Sequence, residues 1–397
     1  MRTTSLAILA ISLLLSVNLS AASHETVLHS FAGGADGSYP VAGLIDKAGN
    51  LYGTTRYGGA NGSGTVFKLT KSGKLWNETV IYSFAGGNDG RSPAASVIMD
   101  AAGNLYGTTR FGGPADAGTV FELSPSGSSW TETVLYAFTG GNDGGDPQAA
   151  LTLKGKSLYS TTPQGGASGN GVVFQLTPVN GTWQETVLYS FAGGNNDGAY
   201  PYGAVIFDKK GNMYGTAESG GPNQAGAVFE LQYSRKAKTW TEQILHFFNG
   251  NTDGSNINAG VLFDSAGNLY GITTSGGTYM AGTVYELVPS GGSWTESVLY
   301  NFTGGLDGGF PSAGLVMDKN GNLFSTAFNG GTNGYGTVFQ LTPSGGAWTE
   351  TVLYNFTGGY DGAFPLASLM IKGGNLYGTT VEGGTGQLGV AFEVSHP

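Results

Sequence analysis

The chain has 397 residues; 71 of them are glycine, 11% are charged, and the formal net charge at pH 7 is −10. The low charge, together with 12% aromatic residues, excludes a disordered chain, and glycines that do not fall at every third position exclude collagen. The acidic balance argues against nucleic acid or an anionic membrane as a partner.

Residues 1–22 are predicted to be a secretory signal peptide. Arg2 supplies a positive start, Leu6–Leu19 is an apolar stretch, and Ser20-Ala21-Ala22 offers small residues for cleavage. Loss of Arg2 leaves 16 basic and 27 acidic residues, a net charge of −11. No second apolar run of about 20 residues follows, so we expect no membrane insertion. We therefore expect a secreted protein, extracellular or periplasmic, that folds without disulfides because it has no cysteine.

One sequence unit recurs seven times after this segment. The phrase Glu-Thr-Val-Leu-His-Ser-Phe at 25–31 returns at intervals of 53 to 57 residues. The later copies begin at Glu78, Glu132, Glu185, Glu242, Glu296 and Glu350. A fixed period of this length indicates a repeat architecture.

Each copy carries four strand signals and no helical period. In the second copy the apolar or β-branched segments are 94–99, 105–109, 119–123 and 130–138. Turns rich in glycine, asparagine, aspartate and proline separate them, as in an antiparallel meander. Radial repetition of such units predicts an all-β fold, a single seven-bladed β-propeller of four-stranded antiparallel blades spanning 23–397.

Two features favour a closed ring over a β-solenoid. Every first strand contains a pair of small residues, which suits strands that converge on an axis. These pairs are Ala42-Gly43, Ala95-Ser96, Ala149-Ala150, Gly203-Ala204, Ala259-Gly260, Ala313-Gly314 and Ala367-Ser368. In addition, the last copy lacks its fourth strand, while an unpaired fourth strand, 25–31, stands at the N-terminus. Joining the two would complete the last blade and remove an exposed sheet edge.

The unit resembles the GloVer (Gloeobacter/Verrucomicrobia) tandem repeat of bacterial exported proteins. The matching residues are Gly-Asn-Leu-Tyr-Gly-Thr-Thr (103–109), Gly112-Gly113 and Gly-Thr-Val-Phe-Glu-Leu (118–123), and the match recurs from Glu25 to Val394. The resemblance implies a surface or extracellular protein. It supplies no catalytic residues.

An Asp-Gly pair follows every fourth strand. Carboxylates in glycine-rich loops suit calcium, which would be the only cofactor. Presence in every copy favours the other interpretation, an Asx-turn without a metal, in which the carboxylate bonds its own loop and the glycine takes positive φ. The aspartates are Asp36, Asp89, Asp143, Asp197, Asp253, Asp307 and Asp361.

The aromatic and acidic residues of the outer strands have a structural interpretation. We expect each tryptophan to cover the outer hairpin and each fourth-strand glutamate to lie on the solvated side. The second-strand tyrosines, such as Tyr106, are expected in the inter-blade core. His29 and His246 occupy equivalent fourth-strand positions that usually hold tyrosine, and no two histidines have metal-ligand spacing.

Side chains vary from copy to copy just after the second strand. Arg56-Tyr57 and Arg110-Phe111 would offer cations and aromatic faces to an acidic saccharide or a partner protein, with Glu218 and Glu382 giving opposite charge. The alternative is an unconstrained loop.

We expect a monomeric, exported module that binds a glycan or protein or builds a surface. The alternative is an extracellular hydrolase or lyase acting on polysaccharide or a lactone-like molecule.

Overall fold

The computed structural model describes residues 23–395, so the predicted signal peptide lies outside the described part. This part consists of thirty short strands and one 3-10 turn, Gly34–Asp36. Within it, no helix has the length and apolar character needed to cross a membrane. The strands form seven four-stranded antiparallel sheets, and we number the strands in chain order and the blades from the first complete sheet.

Blades 1 to 4 follow the chain from inner to outer strand. Blade 1 comprises β2 (Ile45–Lys47), β3 (Asn50–Thr55), β4 (Thr65–Ser72) and β5 (Leu75–Ser83). Blade 2 comprises β6 (Ile98–Met99), β7 (Leu105–Thr109), β8 (Thr119–Ser126) and β9 (Ser129–Ala137). Blade 3 comprises β10 (Thr152–Lys154), β11 (Ser157–Thr162), β12 (Val172–Val179) and β13 (Thr182–Ser190). Blade 4 comprises β15 (Ile206–Phe207), β16 (Met213–Ala217), β18 (Ala227–Ser234) and β19 (Thr239–Phe247), and its loops add the two-residue strands β14 (Gly198–Ala199) and β17 (Ser219–Gly220).

Blades 5 to 7 repeat the pattern, and the last one borrows a strand. Blade 5 comprises β20 (Leu262–Phe263), β21 (Leu269–Thr273), β22 (Thr283–Ser290) and β23 (Ser293–Asn301). Blade 6 comprises β24 (Val316–Met317), β25 (Leu323–Ala327), β26 (Thr337–Ser344) and β27 (Ala347–Asn355). Blade 7 comprises β28 (Met370–Lys372), β29 (Asn375–Thr380) and β30 (Val390–Ser395), with β1 (His24–Ser30) as its outer strand.

The strand β1 closes the ring as predicted. It pairs antiparallel with β30, with Val27 opposite Phe392, and a bulge at Leu28 matches a bulge in every other outer strand. Leu28 and Phe31 are buried in a cluster that joins blades 7 and 1. The closing seam therefore has the same kind of apolar core as the other six.

The small-residue pairs line a narrow axial channel, which confirms their predicted role. They surround a cavity of about 210 Å³. A Cβ added to Gly43 would lie 2.6 Å from the carbonyl oxygen of Ser368 in the adjacent blade, so no larger residue fits there.

The first strand of each blade is shorter than predicted. The half of it nearest the axis bonds to a neighbouring blade instead of to the second strand of its own blade. Second-strand threonines donate to carbonyls of the next blade's small pair. These bonds run from Thr54 to Ala95 (3.3 Å), Thr161 to Gly203 (3.0 Å), Thr216 to Ala259 (2.9 Å) and Thr379 to Ala42 (3.1 Å).

Aromatic side chains fill the seams between blades. Phe84, at the end of one outer strand, is fully buried and meets Phe121 of the next blade edge to face, with ring centroids 5.1 Å apart. The second-strand tyrosines lie at these seams, as predicted. The tryptophans also reach across a seam rather than only covering their own hairpin, since Trp130 contacts Tyr52 of the preceding blade at 6.5 Å between centroids.

Candidate functional site

Two sets of loops meet on one face of the ring, which we call the loop face. One set joins the outer strand of each blade to the inner strand of the next, and the other joins the second and third strands. A short antiparallel bridge ties the two sets together in every blade, for example between Arg91 and Phe111. Side chains on this face are therefore held on a rigid backbone.

A residue with left-handed backbone conformation stands in every inter-blade loop, although none of these residues is glycine. Their φ angles are +55 to +58°, and their N–H groups donate at 2.8–3.1 Å to carbonyls of the preceding blade. They are Tyr39, Ser92, Asp146, Tyr200, Asn256, Phe310 and Phe364. Strained residues of this kind persist where the surrounding structure fixes them, and they concentrate at functional sites. The backbone of the rim is thus the same in all seven blades while its side chains differ.

A ring of seven side chains surrounds the mouth of the channel on the loop face. Each stands one residue before a small pair; the ring consists of Val41, Ala94, Gln148, Tyr202, Asn258, Ser312 and Leu366. We call it the mouth ring. Blades 3 to 6 contribute polar groups and the other three contribute apolar ones. Together with Glu218, the polar arc and Leu366 line a cavity of about 310 Å³.

One buried polar atom in this cavity lacks a partner among the described residues. The Oδ1 atom of Asn258 is buried and accepts no hydrogen bond within the described chain. Burial raises the pKa of the Glu218 carboxyl, against a hydrogen bond from Asn256 that lowers it. Burial and the nearby Glu218 charge raise the pKa of Tyr202. Because buried acceptors in native proteins are normally satisfied, Asn258 marks a position where a ligand could donate.

Arg110, one of the two arginines predicted to form a cationic patch, is already paired. Its Nε and Nη2 donate to the two carboxylate oxygens of Asp146 at 2.7 and 2.9 Å. Both side chains are largely buried, and Gln148 and Gln164 donate to the same carboxylate at 2.9 and 3.3 Å. The Arg110–Asp146 ion pair thus holds Gln148 on the polar side of the channel mouth, and the two charges of the pair neutralise each other.

The other predicted ligand residues are placed around the same rim. Arg56 lies over the Tyr57 ring at 5.6 Å, and its Nε is buried without a partner in the described residues. Phe111 lies under both Arg91 (4.5 Å) and Arg110 (5.1 Å). Tyr202 lies near enough to Glu218 and to Arg110 for each charge to act on its pKa. Glu382 belongs to blade 7, where its backbone pairs with Ala363.

Sequence reasoning missed an aromatic group on the blade 6 and 7 side of the loop face. Phe328 and Phe364 lie 5.1 Å apart between centroids, and Tyr335 meets Phe364 at 5.7 Å. Phe310 and Tyr335 are more than a third exposed. The available signal was the residue before the proline of the inter-blade loops, which changes along the chain and is phenylalanine in the last two loops, at Phe310 and Phe364.

The seven Asp-Gly aspartates lie one per blade and behave as turn caps. Each carboxylate accepts the backbone N–H of a residue four or five positions earlier at 2.6–2.9 Å. Each also bonds the tyrosine or histidine of the outer strand, as Asp89 does with Tyr82 at 3.0 Å. Six of the seven following glycines take positive φ. Each carboxylate therefore bonds its own loop, as the structural interpretation expected, but it accepts from an upstream N–H rather than from one two residues further on, so the turn is not an Asx-turn in the strict sense.

The fourth-strand glutamates are only partly solvated, which departs from the expectation that they lie on the solvated side. In all seven the Oε1 atom is buried and has no hydrogen-bond partner in the described residues. Burial and then the charge of Asp89, in the loop that precedes blade 2, raise the pKa of Glu132 to about 7. The other six glutamate pKa values are raised as well, chiefly by burial. Each seam thus holds a Glu–Asp carboxyl pair near its outer edge.

Solved structures with the same fold come from distant proteins. A candidate 6-phosphogluconolactonase from Bacteroides uniformis matches with a TM-score of 0.55 and 15% identity, over 85% of this chain and 88% of that one. A protein of unknown function from Dyadobacter fermentans matches with a TM-score of 0.51 and 13% identity, over 95% and 100%. A hypothetical selenium-binding protein from Sulfolobus tokodaii matches with a TM-score of 0.56 and 9% identity, over 86% and 82%. At these identities the likeness concerns the fold alone.

Comparison with curated proteins returned no match. The Gloeobacter/Verrucomicrobia repeat model matches three overlapping stretches, residues 13–139, 77–241 and 233–397. These stretches cover nearly the whole chain, and the repeat they describe is the propeller blade. The chain belongs to the Gloeobacter/Verrucomicrobia repeat family.

Proposed function

We propose that this propeller is an exported binding module that takes a saccharide at the mouth of its axial channel. The observation that carries the proposal is the mouth ring, where side chains differ between blades on an otherwise repeated backbone, and where the buried Oδ1 of Asn258 lacks a donor. A position needed only for folding would be expected to repeat as the small pairs do. The export half of the proposal is based on the signal-like sequence of residues 1–22.

The chemistry of the cavity favours a ligand rich in hydroxyl groups. Gln148, Tyr202, Asn258 and Ser312 present amide and hydroxyl groups, and Glu218 adds a carboxyl. The volume of about 310 Å³ lies at the lower end of the range for small-molecule sites, roughly 300–1,000 Å³. It suits one or two sugar units. The aromatic group of blades 6 and 7 could stack on further units of a longer chain.

Saccharide binding to a glycan array, followed by calorimetry on each hit, tests this proposal. Asn258→Ala should weaken binding by about tenfold, the worth of one hydrogen bond of about 1.4 kcal/mol. Asn77→Ala, which removes the same side chain from an exposed position on β5, is the matched control and should bind like the parent. Equal affinity of the Asn258 variant and the parent would reject the mouth as the site.

Glu218 favours a second candidate, an extracellular hydrolase or lyase. It is a half-buried carboxyl whose pKa is raised by burial, and its charge acts on the nearby Tyr202, an arrangement that suits general acid–base chemistry. Product release from polysaccharide or lactone substrates would support this candidate. Glu218→Gln should then abolish turnover while leaving substrate affinity within a few-fold, whereas a pure binding module shows no turnover to lose.

A further inference from the structure

Three side chains with metal-ligating atoms meet at the seam between blades 7 and 1. His29 lies on β1, Asp36 in the loop that follows it, and Glu78 on β5 of the next blade. One ligand atom from each lies within 4.8 Å of the other two. The Nε2 of His29 is 2.9 Å from the Oδ1 of Asp36, and both side chains are about one-fifth exposed. The Oε1 of Glu78 is buried and unpartnered.

The other blades show what this seam looks like without a histidine. In five of them a tyrosine occupies the His29 position and donates to the equivalent aspartate at 2.9–3.0 Å, as Tyr136 does to Asp143. A tyrosine hydroxyl already satisfies that aspartate, so the turn does not require histidine. Histidine replaces it at only one further seam, where His246 lies 3.1 Å from Asp253 and acts electrostatically on Glu296.

The histidine changes the chemistry of the seam. With tyrosine, the group holds two carboxyls and a weakly acidic hydroxyl. With histidine it holds an imidazole nitrogen and two carboxylates, all of which are ligand types that zinc accepts. Zinc bonds to nitrogen and oxygen are about 2.0–2.2 Å long, so two ligand atoms of one ion are at most about 4.4 Å apart. Three atoms within 4.8 Å of one another therefore need only a small side-chain movement to bind a single ion. It would also supply the partner that the buried Oε1 of Glu78 lacks.

We propose that His29, Asp36 and Glu78 form a binding site for a divalent first-row transition metal such as Zn²⁺. The site ties the strand that closes the ring to its neighbour, because His29 belongs to β1 and Glu78 to β5. Metal binding there therefore reinforces the contact of blade 1 with β1, the strand whose pairing with β30 closes the ring. This inference is independent of the ligand proposed for the channel mouth, which lies on the axis rather than at the outer strands.

The test is Zn²⁺ uptake by untagged, chelator-stripped full-length protein, measured by equilibrium dialysis at micromolar Zn²⁺. His29→Tyr is the decisive variant, because it gives the seam the residue that five other blades carry and so should preserve the fold. We expect the parent to bind Zn²⁺ and His29→Tyr to bind one equivalent of Zn²⁺ fewer. His246→Tyr is the matched control and should keep the Zn²⁺ bound at the blade 7–1 seam. The histidines at 24 and 396 are present in every variant, so any Zn²⁺ that they bind does not affect the difference between variants.

Thermal melting gives a second readout. Zn²⁺ should raise the melting temperature of the parent in a concentration-dependent way, and this rise should disappear in His29→Tyr. Glu78→Gln removes a different ligand and should also lose the equivalent, which guards against a His29 variant that misfolds. No uptake by the parent, or uptake undiminished in both variants, would overturn the proposal.

Discussion

The carboxyl pairs at the seams should make the propeller less stable as the pH rises from 5 to 8.5. The folded pKa of Glu132 is about 7, above its ordinary value of 4.5, because of burial and the nearby Asp89. The folded state therefore holds these protons more tightly than the unfolded state does. The stability they provide is complete below about pH 4.5 and is lost as the pH rises through about 7.

The expected size of this effect follows from the number of seams. One pKa unit corresponds to about 1.4 kcal/mol, but the glutamates are partly exposed and solvent screens them, so we take about 0.5–1 kcal/mol each. Seven seams then give about 3.5–7 kcal/mol. An unfolding entropy of about 2.1 cal/mol/K per residue converts this to a fall in melting temperature of roughly 4–9 °C.

A triple variant isolates the cause. Glu132→Gln, Glu185→Gln and Glu350→Gln lie on separate blades, so their effects should add, and together they should remove about three-sevenths of the pH dependence. The matched control is Glu122→Gln on β8, whose carboxylate accepts from Ser124 at 2.9 Å and whose position holds glutamine in blades 3 and 6. Thermal melts at pH 5 and 8.5 and equal ionic strength provide the measurement. A melting temperature that rises with pH, or a triple variant with the parent's pH dependence, would refute the reasoning.

Three further predictions concern the closing strand, the Asp-Gly loops and the buried ion pair. Deleting 25–31 removes the buried Leu28 and Phe31 and the half-buried Val27, which lowers the free energy of unfolding by about 4–7 kcal/mol at most. The variant should aggregate through the exposed edge of β30. A deletion variant as heat-resistant as the parent would contradict this. Millimolar Ca²⁺ added to metal-free protein should leave the melting temperature within about a degree if the aspartates only cap turns, whereas a concentration-dependent rise would show calcium binding. Arg110→Ala should cost about 3–5 kcal/mol by denaturant unfolding, because it leaves the Asp146 carboxylate buried and unpaired, and a loss under about 1 kcal/mol would contradict the buried pair.

The repeat made the ring predictable. The number of repeats predicts the number of blades, and the small-residue pairs predict which strands lie at the axis. The outer strand found at the N-terminus predicts that β1 closes the ring. The buried glutamates were also within reach of the sequence. Glu78 stands two residues after Trp76 and two before Val80, and alternation along a strand puts all three on the inward face, away from the exposed Thr79.

The details of the loop face were beyond sequence reasoning because they depend on the path of the backbone. Arg110 and Asp146 are 36 residues apart and meet only because an inter-blade loop folds back over the rim. Asp146 is left-handed although proline follows it, a conformation that local preferences do not predict. Its position is fixed by the bond from its N–H to Ala117 of the preceding blade, which no local pattern encodes.

The most direct test of the proposed binding function is a crystal structure of the protein soaked with the tightest saccharide found on the array. The proposal predicts density at the channel mouth, with a sugar hydroxyl within hydrogen-bond distance of the Oδ1 of Asn258 and others near Gln148, Tyr202 or Glu218. Saccharide density confined to the outer strands or to the opposite face, with the mouth free of it, would contradict the proposal.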